Sequence, residues 1–329
     1  MRAMVIPMPG GPDIFEMREQ PCPLPKDANL RISICFAGIN WGDIQKRQGI
    51  YPNPISYPVV IGLEVSGYIE SCGPSVVGLQ PGQRVAAITG PQMLGGYADS
   101  CLVPQDYVIP IPDSISLETA AAMPAACLTA WHLLHTAHGL KQGDIILMHA
   151  AGGAVGLAVT QLALAKAAMV IGTVGSAAKA RGPAEYGAAA IIDRSREDFV
   201  TEALRLTSGR GVDLVIDSPG ADILERSFDA LAAFGKIINI GEAAGEPDFP
   251  IRKKLYEKST SLQGFEFLHA QPGSSRWRQS VNEICQMVSS GRLKVPVESI
   301  LPLTEAAKAH RLLESRTISG KILLKIPND

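Results

Sequence analysis

The sequence has few of the features that mark membrane, secreted or nucleic-acid-binding proteins. Its 30 lysine and arginine residues are balanced by 32 aspartate and glutamate residues, so it has no excess of positive charge for nucleic acid or an anionic membrane. The six cysteines include no pair at Cys-x-x-Cys spacing, and the N-terminus has no apolar signal core. The alanine-rich stretches 119–137 and 157–174 are interrupted by Pro124, His132 and Lys166, which argues against membrane spans. We therefore expect a protein of the reducing cytoplasm with no membrane or nucleic-acid partner.

The chain is long enough for two hydrophobic cores. With 329 residues, of which 46% are hydrophobic and 19% charged, it has the composition of a globular protein with two domains. Between residues 51 and 110, short apolar runs alternate with glycine and proline without a crossover helix, which is typical of a β-rich barrel. Helical composition follows at 117–137, where Pro124 is expected to kink or restart the helix. We place the domain boundary in this stretch.

The most informative stretch, residues 144–179, predicts a βαβ unit. An apolar run at Ile145–Met148 leads into the turn AAGGAVG at 150–156, and a helical pattern then continues to Lys166 before a second strand at 169–174. In a dinucleotide site, Gly153 allows close approach of a pyrophosphate and Gly156 allows the helix to lie against the strand. Because Ala151 replaces the first glycine of the usual fingerprint, a merely tight strand-to-helix turn is the alternative.

The residues after the second strand favour NADP(H) over NAD(H). An NAD-binding unit usually has an acidic residue at this point for the ribose hydroxyls, whereas this chain has Val174, Gly175 and Ser176, with Lys179 in the next turn. A hydroxyl and a lysine suit a 2′-phosphate, and Arg194, just after the next predicted strand, is placed to join them. The alternative is that Lys179 and Arg194 are ordinary solvated charges.

Strands and helices continue to alternate after this unit, which indicates a doubly wound parallel sheet. Gly182-Pro183 is expected to break the helix after Ser176 early. The C-terminal part is of mixed character, and Thr304 is expected to cap its last helix. The further predicted elements are strands at 190–193, 212–216, 236–240 and 321–326, and helices at 197–207, 221–230, 277–290 and 305–315.

Seven motifs follow one another along essentially the whole chain: NWGDIQKRQGIY at 40–51, GLEVSG at 62–67, PAACLTAWHLL at 124–134, AAGGAVG at 150–156, GTVGS at 172–176, DSPG at 217–220, and AHRLLESR with GKILL at 309–324. In this combination and order the chain resembles the quinone oxidoreductases, the zeta-crystallin-like branch of the medium-chain dehydrogenase/reductase superfamily. The resemblance implies an α/β protein with a GroES-like β-rich barrel domain and an inserted Rossmann domain. The barrel domain would comprise residues 1–123 and 266–329, and the Rossmann domain residues 124–265.

The resemblance also implies a protein that needs no metal. Zinc alcohol dehydrogenases of the same superfamily resemble this chain but require a cysteine where Asn40 stands, a histidine where Leu63 stands and a second cysteine near Ala125. The cysteine-rich lobe that holds structural zinc is missing too, since residues 84–95 contain no cysteine. Three histidines recur at three-residue spacing, His132, His135 and His138. On a helix this spacing turns each side chain away from the direction of the one before it, so we do not expect the three to bind a metal together.

The acceptor site implied by the resemblance lies in the 40–51 motif. Tyr51 is the first candidate to hydrogen-bond the oxygen that becomes negative on reduction, with Asn40 and Asp43 lining the same cleft. The alternatives are that Tyr51 packs in its loop and caps the following proline-rich turn, and that Asp43 pairs with Arg47 at i,i+4 spacing. Gln45 replaces an aromatic residue that some relatives carry.

The cofactor contacts carried over from the family lie mainly at the carboxyl ends of the parallel strands. They comprise the nicotinamide end, the pyrophosphate turn, the adenosine ribose phosphate and two residues that would close the crevice. For three of them the alternative is a role without the cofactor: Thr129 as a hydroxyl bonded to its own helix backbone, Phe265 as a core residue and Arg316 as a solvated charge near a helix C-terminus. The full set is Asn40, Thr129, Gly152, Gly153, Ala154, Val155, Gly175, Ser176, Lys179, Arg194, Ser218, Ile240, Gly241, Phe265 and Arg316.

The resemblance therefore implies a homodimeric, zinc-independent oxidoreductase that transfers hydride from NADPH to a small-molecule acceptor, a quinone in the first instance. Reduction of α,β-unsaturated carbonyl compounds is a close variant of the same chemistry. A nucleotide-binding structural protein with little turnover is the alternative from another class, since fold alone does not exclude it. The 40–51 motif and Thr129 favour an enzyme, because a purely structural protein does not need those groups.

Overall fold

A computed structural model describes residues 1–327 and divides the chain into two compact units. The first unit comprises residues 1–128 and the C-terminal part from Gln271, and the second comprises Thr129–Ala270. The strands are β1 Arg2–Ile6, β2 Glu16–Glu19, β3 Asn29–Gly38, β4 Val59–Val60, β5 Glu64–Cys72, β6 Arg84–Ile88, β7 Ser100–Pro104, β8 Val108–Pro110, β9 Ile145–Met148, β10 Met169–Val174, β11 Ala190–Asp193, β12 Val212–Asp217, β13 Leu231–Asn239, β14 Ser261–Gly264, β15 Val297–Pro302 and β16 Lys321–Lys325. The α-helices are α1 Trp41–Gln48, α2 Leu117–Ala122, α3 Pro124–His132, α4 Ala154–Leu164, α5 Arg181–Glu185, α6 Phe199–Leu206, α7 Ala221–Ala230, α8 Ile251–Glu257, α9 Ser275–Ser289 and α10 Ala306–Glu314.

The first unit is built on β-sheets, as its short apolar runs predict. Its larger sheet has the order β15-β16-β3-β5-β6-β8, with β7 also paired to β3, and a smaller sheet has the order β2-β1-β4. All of these pairs are antiparallel except β15 with β16. Alternate residues such as Ile32, Ile34 and Val85 are completely buried in one apolar core. The C-terminal strand β16 pairs with β3, so the two ends of the chain complete one unit.

The second unit is a six-stranded sheet in the order β11-β10-β9-β12-β13-β14, and every neighbouring pair is parallel. The order reverses direction between β9 and β12, as in doubly wound folds, and crevices at such points bind ligands outside the carboxyl ends of the strands. Leu147, Ile171 and Val215 from three adjacent strands are buried in its core. The predicted doubly wound sheet is confirmed.

The helical stretch expected at 117–137 is confirmed, and Pro124 restarts the helix as expected: it is the first residue of α3, where its missing N–H has no helical partner to lose. Two other local predictions are wrong or incomplete. Pro183 does not end a helix but lies in the first turn of α5, after a separate 3₁₀ turn at Ala177–Lys179. Thr304 does not cap α10, because it lies inside a 3₁₀ turn, and the residue at the N-cap is Glu305.

The structure also adds elements that the pattern did not indicate. β13 begins at Leu231, five residues before the predicted start at Lys236, and β2 and β14 are short strands with mostly exposed side chains. Exposed edge strands lack the apolar alternation on which the prediction depends. Among the described residues, no helix combines the length and apolar character that crossing a bilayer requires.

Candidate functional site

The turn after β9 has the geometry of a dinucleotide-binding turn. Ala150 is in the left-handed region, with φ of 53°, and Gly153 is the N-cap of α4. A Cβ on Gly156 would lie 2.6 Å from the Cα of Ala151, so only glycine lets α4 begin this close to the strand end. A Cβ on Gly153 would have only the Ala150 carbonyl oxygen within 4 Å, at 3.3 Å, so this backbone is open to an approaching group. The amide N–H groups of the first turn of α4 therefore face accessible space suited to an anion.

The turn lies against the segment predicted to bind the ribose phosphate. A Cβ on Gly152 would lie 2.9 Å from the Lys179 carbonyl oxygen and 3.2 Å from Lys179 Cβ, which places Lys179 beside the glycine turn. Gly175 and Ser176 are exposed, and a Cβ on Gly175 would meet nothing within 4 Å. Arg194 donates its backbone N–H to Val174 O, 3.0 Å away, so two neighbouring strand ends hold these residues close together. No carboxylate follows β10 before Lys179.

Two buried polar groups support this edge of the sheet. His149 is completely buried, and its ring nitrogens lie 2.8 Å from Thr173 Oγ1 and 2.9 Å from Ser227 Oγ. Burial, assisted by the positive charge of Arg194, lowers the pKa of His149 to about 3, so the imidazole is neutral. It therefore links β10 to α7 by hydrogen bonds without introducing a charge under the turn.

Asp217, at the end of β12, is the second buried group. Its Oδ2 accepts hydrogen bonds from Gly220 N at 3.1 Å and Asn239 Nδ2 at 2.7 Å. Burial raises the pKa of this carboxyl to about 6, while the charge of Arg194 acts to lower it. The positive charge of Arg194 thus acts to lower the pKa of both His149 and Asp217.

The remaining predicted cofactor residues of the second unit also follow the carboxyl ends of parallel strands. Ser218 follows β12, Ile240 and Gly241 follow β13, and Phe265 follows β14; all four are half-buried. Because parallel strands end at one edge of a sheet, these residues share that edge with the glycine turn. Thr129 lies elsewhere, half-buried within α3.

In the first unit, Asn40 is the centre of a buried ionic network. Its Nδ2 donates to Glu64 Oε1 at 2.8 Å, and its Oδ1 accepts from Lys321 Nζ at 2.8 Å. Lys321 Nζ also donates to Glu64 Oε1 and, at 3.0 Å, to the carbonyl of Ile39. Glu64 Oε2 accepts from Ala125 N at 2.8 Å. The Glu64 and Lys321 side chains are 0% and 2% exposed, so the network holds the starts of α1, β5, α3 and β16 together.

Asp43 is buried in the first turn of α1, where it completes a capping box. Its Oδ2 accepts from Asn40 N at 2.9 Å, while the Asn40 side chain accepts from the backbone N–H of Asp43. Burial raises the pKa of Asp43 to about 6, against the lowering effect of the Lys46 charge. The suggested pairing of Asp43 with Arg47 is wrong, because Arg47 points away and binds Glu314 Oε1 at 2.6 Å.

Tyr51 lies beside the same helix. A Cβ on Gly42 would be 3.4 Å from Tyr51 Cε2 and 3.7 Å from Leu63 Cδ2, so the ring covers the first turn of α1. The Lys46 ammonium is 4.7 Å from the centre of the Tyr51 ring. The hydroxyl of Tyr57 donates to Lys46 O, 2.5 Å away, in the last turn of α1.

The side chain of Arg316, from the C-terminal part of the chain, lies beside the start of α1. Its guanidinium is 5.6 Å from the centre of the ring of Trp41, the first residue of α1. The structure thus brings Arg316 to the Asn40 end of α1, together with Asp43 and Tyr51.

The donor set at the three positions where zinc enzymes of the superfamily carry ligands does not fit a zinc ion. Leu63 and Ala125 have no side-chain donor atom, and the backbone N–H of Ala125 donates to Glu64 Oε2. The third position, Asn40, contacts the ammonium of Lys321, and this positive charge disfavours a dication. Within residues 1–327, no group of three or more histidine, cysteine, aspartate or glutamate side chains is arranged to hold a metal.

Sequence reasoning missed most of the buried charged residues. Glu64 and Lys321 stand inside apolar motifs, GLEVSG and GKILL, and a charge in an otherwise apolar strand was the available signal. Lys46 and His149 carried no such signal, because their burial depends on elements that pack around them. The missed residues are Lys46, Glu64, His149, Asp217 and Lys321.

Two family models match the chain. Residues 26–113 match the alcohol dehydrogenase GroES-like domain, and residues 186–324 match a domain described as zinc-binding dehydrogenase. The donor set at Asn40, Leu63 and Ala125, described above, does not suit the metal that the second description names.

Several characterised proteins are similar to the chain over nearly its whole length. The quinone oxidoreductase of Pseudomonas aeruginosa is 33% identical over 316 residues, 96% of each chain, and the 2-haloacrylate reductase of a Burkholderia species is 33% identical over 333 residues, 98% of each. The solved structure of Escherichia coli quinone oxidoreductase complexed with NADPH has a TM-score of 0.94 at 32% identity, covering 99% of this chain and 100% of that one. The chain also matches a phenolphthiocerol/phthiocerol polyketide synthase protein of Mycobacterium tuberculosis at 34% identity, but it spans only 15% of that protein's length.

The fold, the motif order and these similarities agree with one another. A GroES-like unit with an all-parallel doubly wound unit inserted in it, and full-length identity above 30% to a quinone oxidoreductase, define one group of proteins. The chain belongs to the quinone oxidoreductase branch of the medium-chain dehydrogenase/reductase superfamily.

Proposed function

We propose that the protein is an NADPH-dependent reductase of electron-poor small molecules, with a quinone as the acceptor. The observation that carries the proposal is the open glycine turn beside Lys179, with no carboxylate between β10 and Lys179. Gly152, Gly153 and the start of α4 would hold the pyrophosphate, and Ser176, Lys179 and Arg194 the 2′-phosphate. When bound, the nicotinamide supplies a hydride.

The chain's own residues would then orient the acceptor and exclude water. Asn40 is suited to a positioning role, because Glu64 and Lys321 bind its two amide atoms and leave the side chain little freedom. Tyr51 carries a hydroxyl next to this helix start and is our candidate for the hydrogen bond to the acceptor oxygen that gains negative charge. Asp43 accepts a hydrogen bond from the backbone N–H of Asn40 and so helps to fix it, but its side chain is too deeply buried to contact the acceptor directly.

A second acceptor class is an α,β-unsaturated carbonyl compound. It is favoured by the 33% identity to a 2-haloacrylate reductase and by Gln45, a polar residue where some relatives carry an aromatic one. Both classes accept hydride at carbon or oxygen and place negative charge on an oxygen. We also propose a homodimer, as is usual in the family, which sedimentation analysis would test.

The experiment compares NADPH and NADH by fluorescence titration and then follows oxidation of NADPH after addition of 1,4-benzoquinone or an enone. We expect acceptor-dependent oxidation and a clear preference for NADPH. Binding of NADPH without oxidation across a panel of quinones and enones would refute the reductase and leave a nucleotide-binding protein.

The double substitution Lys179→Ala and Arg194→Ala tests the phosphate contacts. Loss of two charge-assisted hydrogen bonds, each about 1.5–3 kcal/mol, should weaken NADPH by roughly 100-fold or more while changing the affinity for NADH little. Lys166→Ala is the control, because Lys166 is exposed and lies after the far end of α4. Equal losses for NADPH and NADH would show that these cations do not bind the 2′-phosphate.

A further inference from the structure

Lys46 is a buried lysine that the function described above does not use. It lies in the second turn of α1 and is 0% exposed. Its ammonium donates to the carbonyls of Met93 at 2.7 Å and Gln92 at 3.2 Å. The face of the Tyr51 ring, with its centre 4.7 Å away, covers the same ammonium. A buried ammonium requires such compensation, so the ring is part of what keeps this charge in the interior.

The backbone of the same lysine holds a second aromatic residue. Tyr57 donates its hydroxyl hydrogen bond to Lys46 O at 2.5 Å. Tyr51 and Tyr57 are the two ends of a segment with no helix or strand, which we call the 51–57 loop. The residues between them are exposed apart from Ile55, which is half-buried. Both ends of the 51–57 loop are therefore attached to one residue, one through a side chain and the other through a carbonyl.

The attachment fixes where Tyr51 lies relative to the acceptor residues. With the ring above Lys46, its edge reaches Gly42, one turn nearer the start of α1. Leu63 contacts the same point of the helix, and Asn40 is the N-cap. An apolar residue at position 46 would offer no charge to attract the ring face, so the loop end would lose a directional contact.

We propose that Lys46 is a positioning residue for the acceptor: it clamps the 51–57 loop and holds the Tyr51 hydroxyl over the first turn of α1. The role in turnover rests on the proposed reductase function, whereas the clamp does not. Lys46 also faces Asp43 on its own helix, and its positive charge lowers the pKa of that carboxyl. Removal of the ammonium therefore acts on Asp43 as well as on Tyr51, and the experiment must separate the two effects.

The kinetic test uses Lys46→Met, which keeps the length of the side chain and removes its charge, in the wild-type and Tyr51→Leu backgrounds. We expect Lys46→Met to raise the KM for the acceptor about tenfold with the Kd for NADPH within twofold of wild type. In the Tyr51→Leu background, where no ring remains to be positioned, the same change should alter the acceptor KM less than twofold. Lys166→Met, at an exposed position, is the matched control.

An undiminished effect of Lys46→Met in the Tyr51→Leu background would overturn the proposal, because the lysine would then act through Asp43 or through general stability. An unchanged acceptor KM in the single variant would overturn it as well. Tyr57→Phe provides a second variant that keeps the buried ammonium and removes only the other attachment. It should raise the acceptor KM too, since the loop is then held at one end.

Amide hydrogen exchange tests the clamp independently of turnover. In both Lys46→Met and Tyr57→Phe, exchange of the Gly49 and Ile50 amides, which lead into the loop and donate to Lys46 O and Gln45 O, should accelerate at least tenfold, while exchange in α4 stays unchanged. Unchanged exchange of these two amides would refute the clamp even in an active enzyme. If the wild type oxidises no NADPH with any acceptor, the reductase proposal fails, and the exchange rates still decide whether Lys46 holds the loop.

Discussion

Separation of the buried Glu64–Lys321 pair gives the sharpest test of how the first unit is held together. Glu64→Gln leaves the Lys321 ammonium 2% exposed and without its carboxylate, and Lys321→Met leaves the Glu64 carboxylate 0% exposed and without its ammonium. Removal of one partner from a buried ion pair typically lowers the free energy of unfolding by about 3–5 kcal/mol, because an uncompensated charge stays in the interior. We expect each single variant to fall in this range.

The double variant should lose much less than the sum of the two. With Lys321→Met and Glu64→Gln combined, no charge remains. The oxygen of the new amide at position 64 can accept from Ala125 N. Its NH₂ group can donate to the side-chain oxygen of Asn40 once the Asn40 amide has flipped, because Lys321→Met removes the ammonium that binds this oxygen. We therefore expect a net loss of about 1–2 kcal/mol, the scale of a rearranged hydrogen bond. The coupling between the two sites should then be at least about 3 kcal/mol.

Equilibrium unfolding in urea, followed by circular dichroism, measures the four free energies of unfolding. The control is Lys308→Met, which breaks the exposed pair with Glu305 and should change stability by no more than about 0.5 kcal/mol. Additive losses in the double variant would refute the reasoning, because they would show that Glu64 and Lys321 do not compensate each other. Single-variant losses as small as the control would contradict their burial.

Two other substitutions test individual groups. The pKa of Asp43 is raised from 3.8 to about 6, so the folded state binds more protons between these values, and stability decreases as pH rises from about 4 to about 6. Asp43→Asn keeps the oxygen that accepts from Asn40 N and cannot titrate. Relative to wild type, its free energy of unfolding should therefore increase by on the order of 3 kcal/mol as the pH rises across that window. A difference in unfolding free energy between variant and wild type that stays constant from pH 4 to pH 7 would contradict the raised pKa. Gly156→Ala should cost about 1–3 kcal/mol and weaken NADPH binding, because its Cβ would lie 2.6 Å from backbone atoms of Ala151. Gly11→Ala, where nothing lies within 4 Å of the new methyl group, is the control, and equal stability of the two variants would refute the steric argument.

The sequence alone was enough to predict the doubly wound unit and the glycine turn after β9. Strands β10 and β11 and helix α7 have the predicted bounds, because their signals are local: an apolar run, a turn and a helical period within about thirty residues. The contact of Gly156 with Ala151 is also local, five residues apart, so the glycine requirement was predictable. The absence of a carboxylate after β10, on which the NADP(H) prediction rests, is a property of the sequence itself.

Only the tertiary structure determined which buried charges meet. Lys321 and Glu64 are 257 residues apart in the chain, and Arg47 and Glu314 are 267 apart, so no spacing rule relates them. Spacing along α1 suggested that Asp43 would pair with Arg47, but long-range packing gives Arg47 a different partner. The attachment of the 51–57 loop to Lys46 likewise requires the 92–93 carbonyls to meet the ammonium. Local patterns specify backbone elements, whereas the pairing of desolvated charges depends on how distant elements pack, and sequence periodicity does not encode that packing.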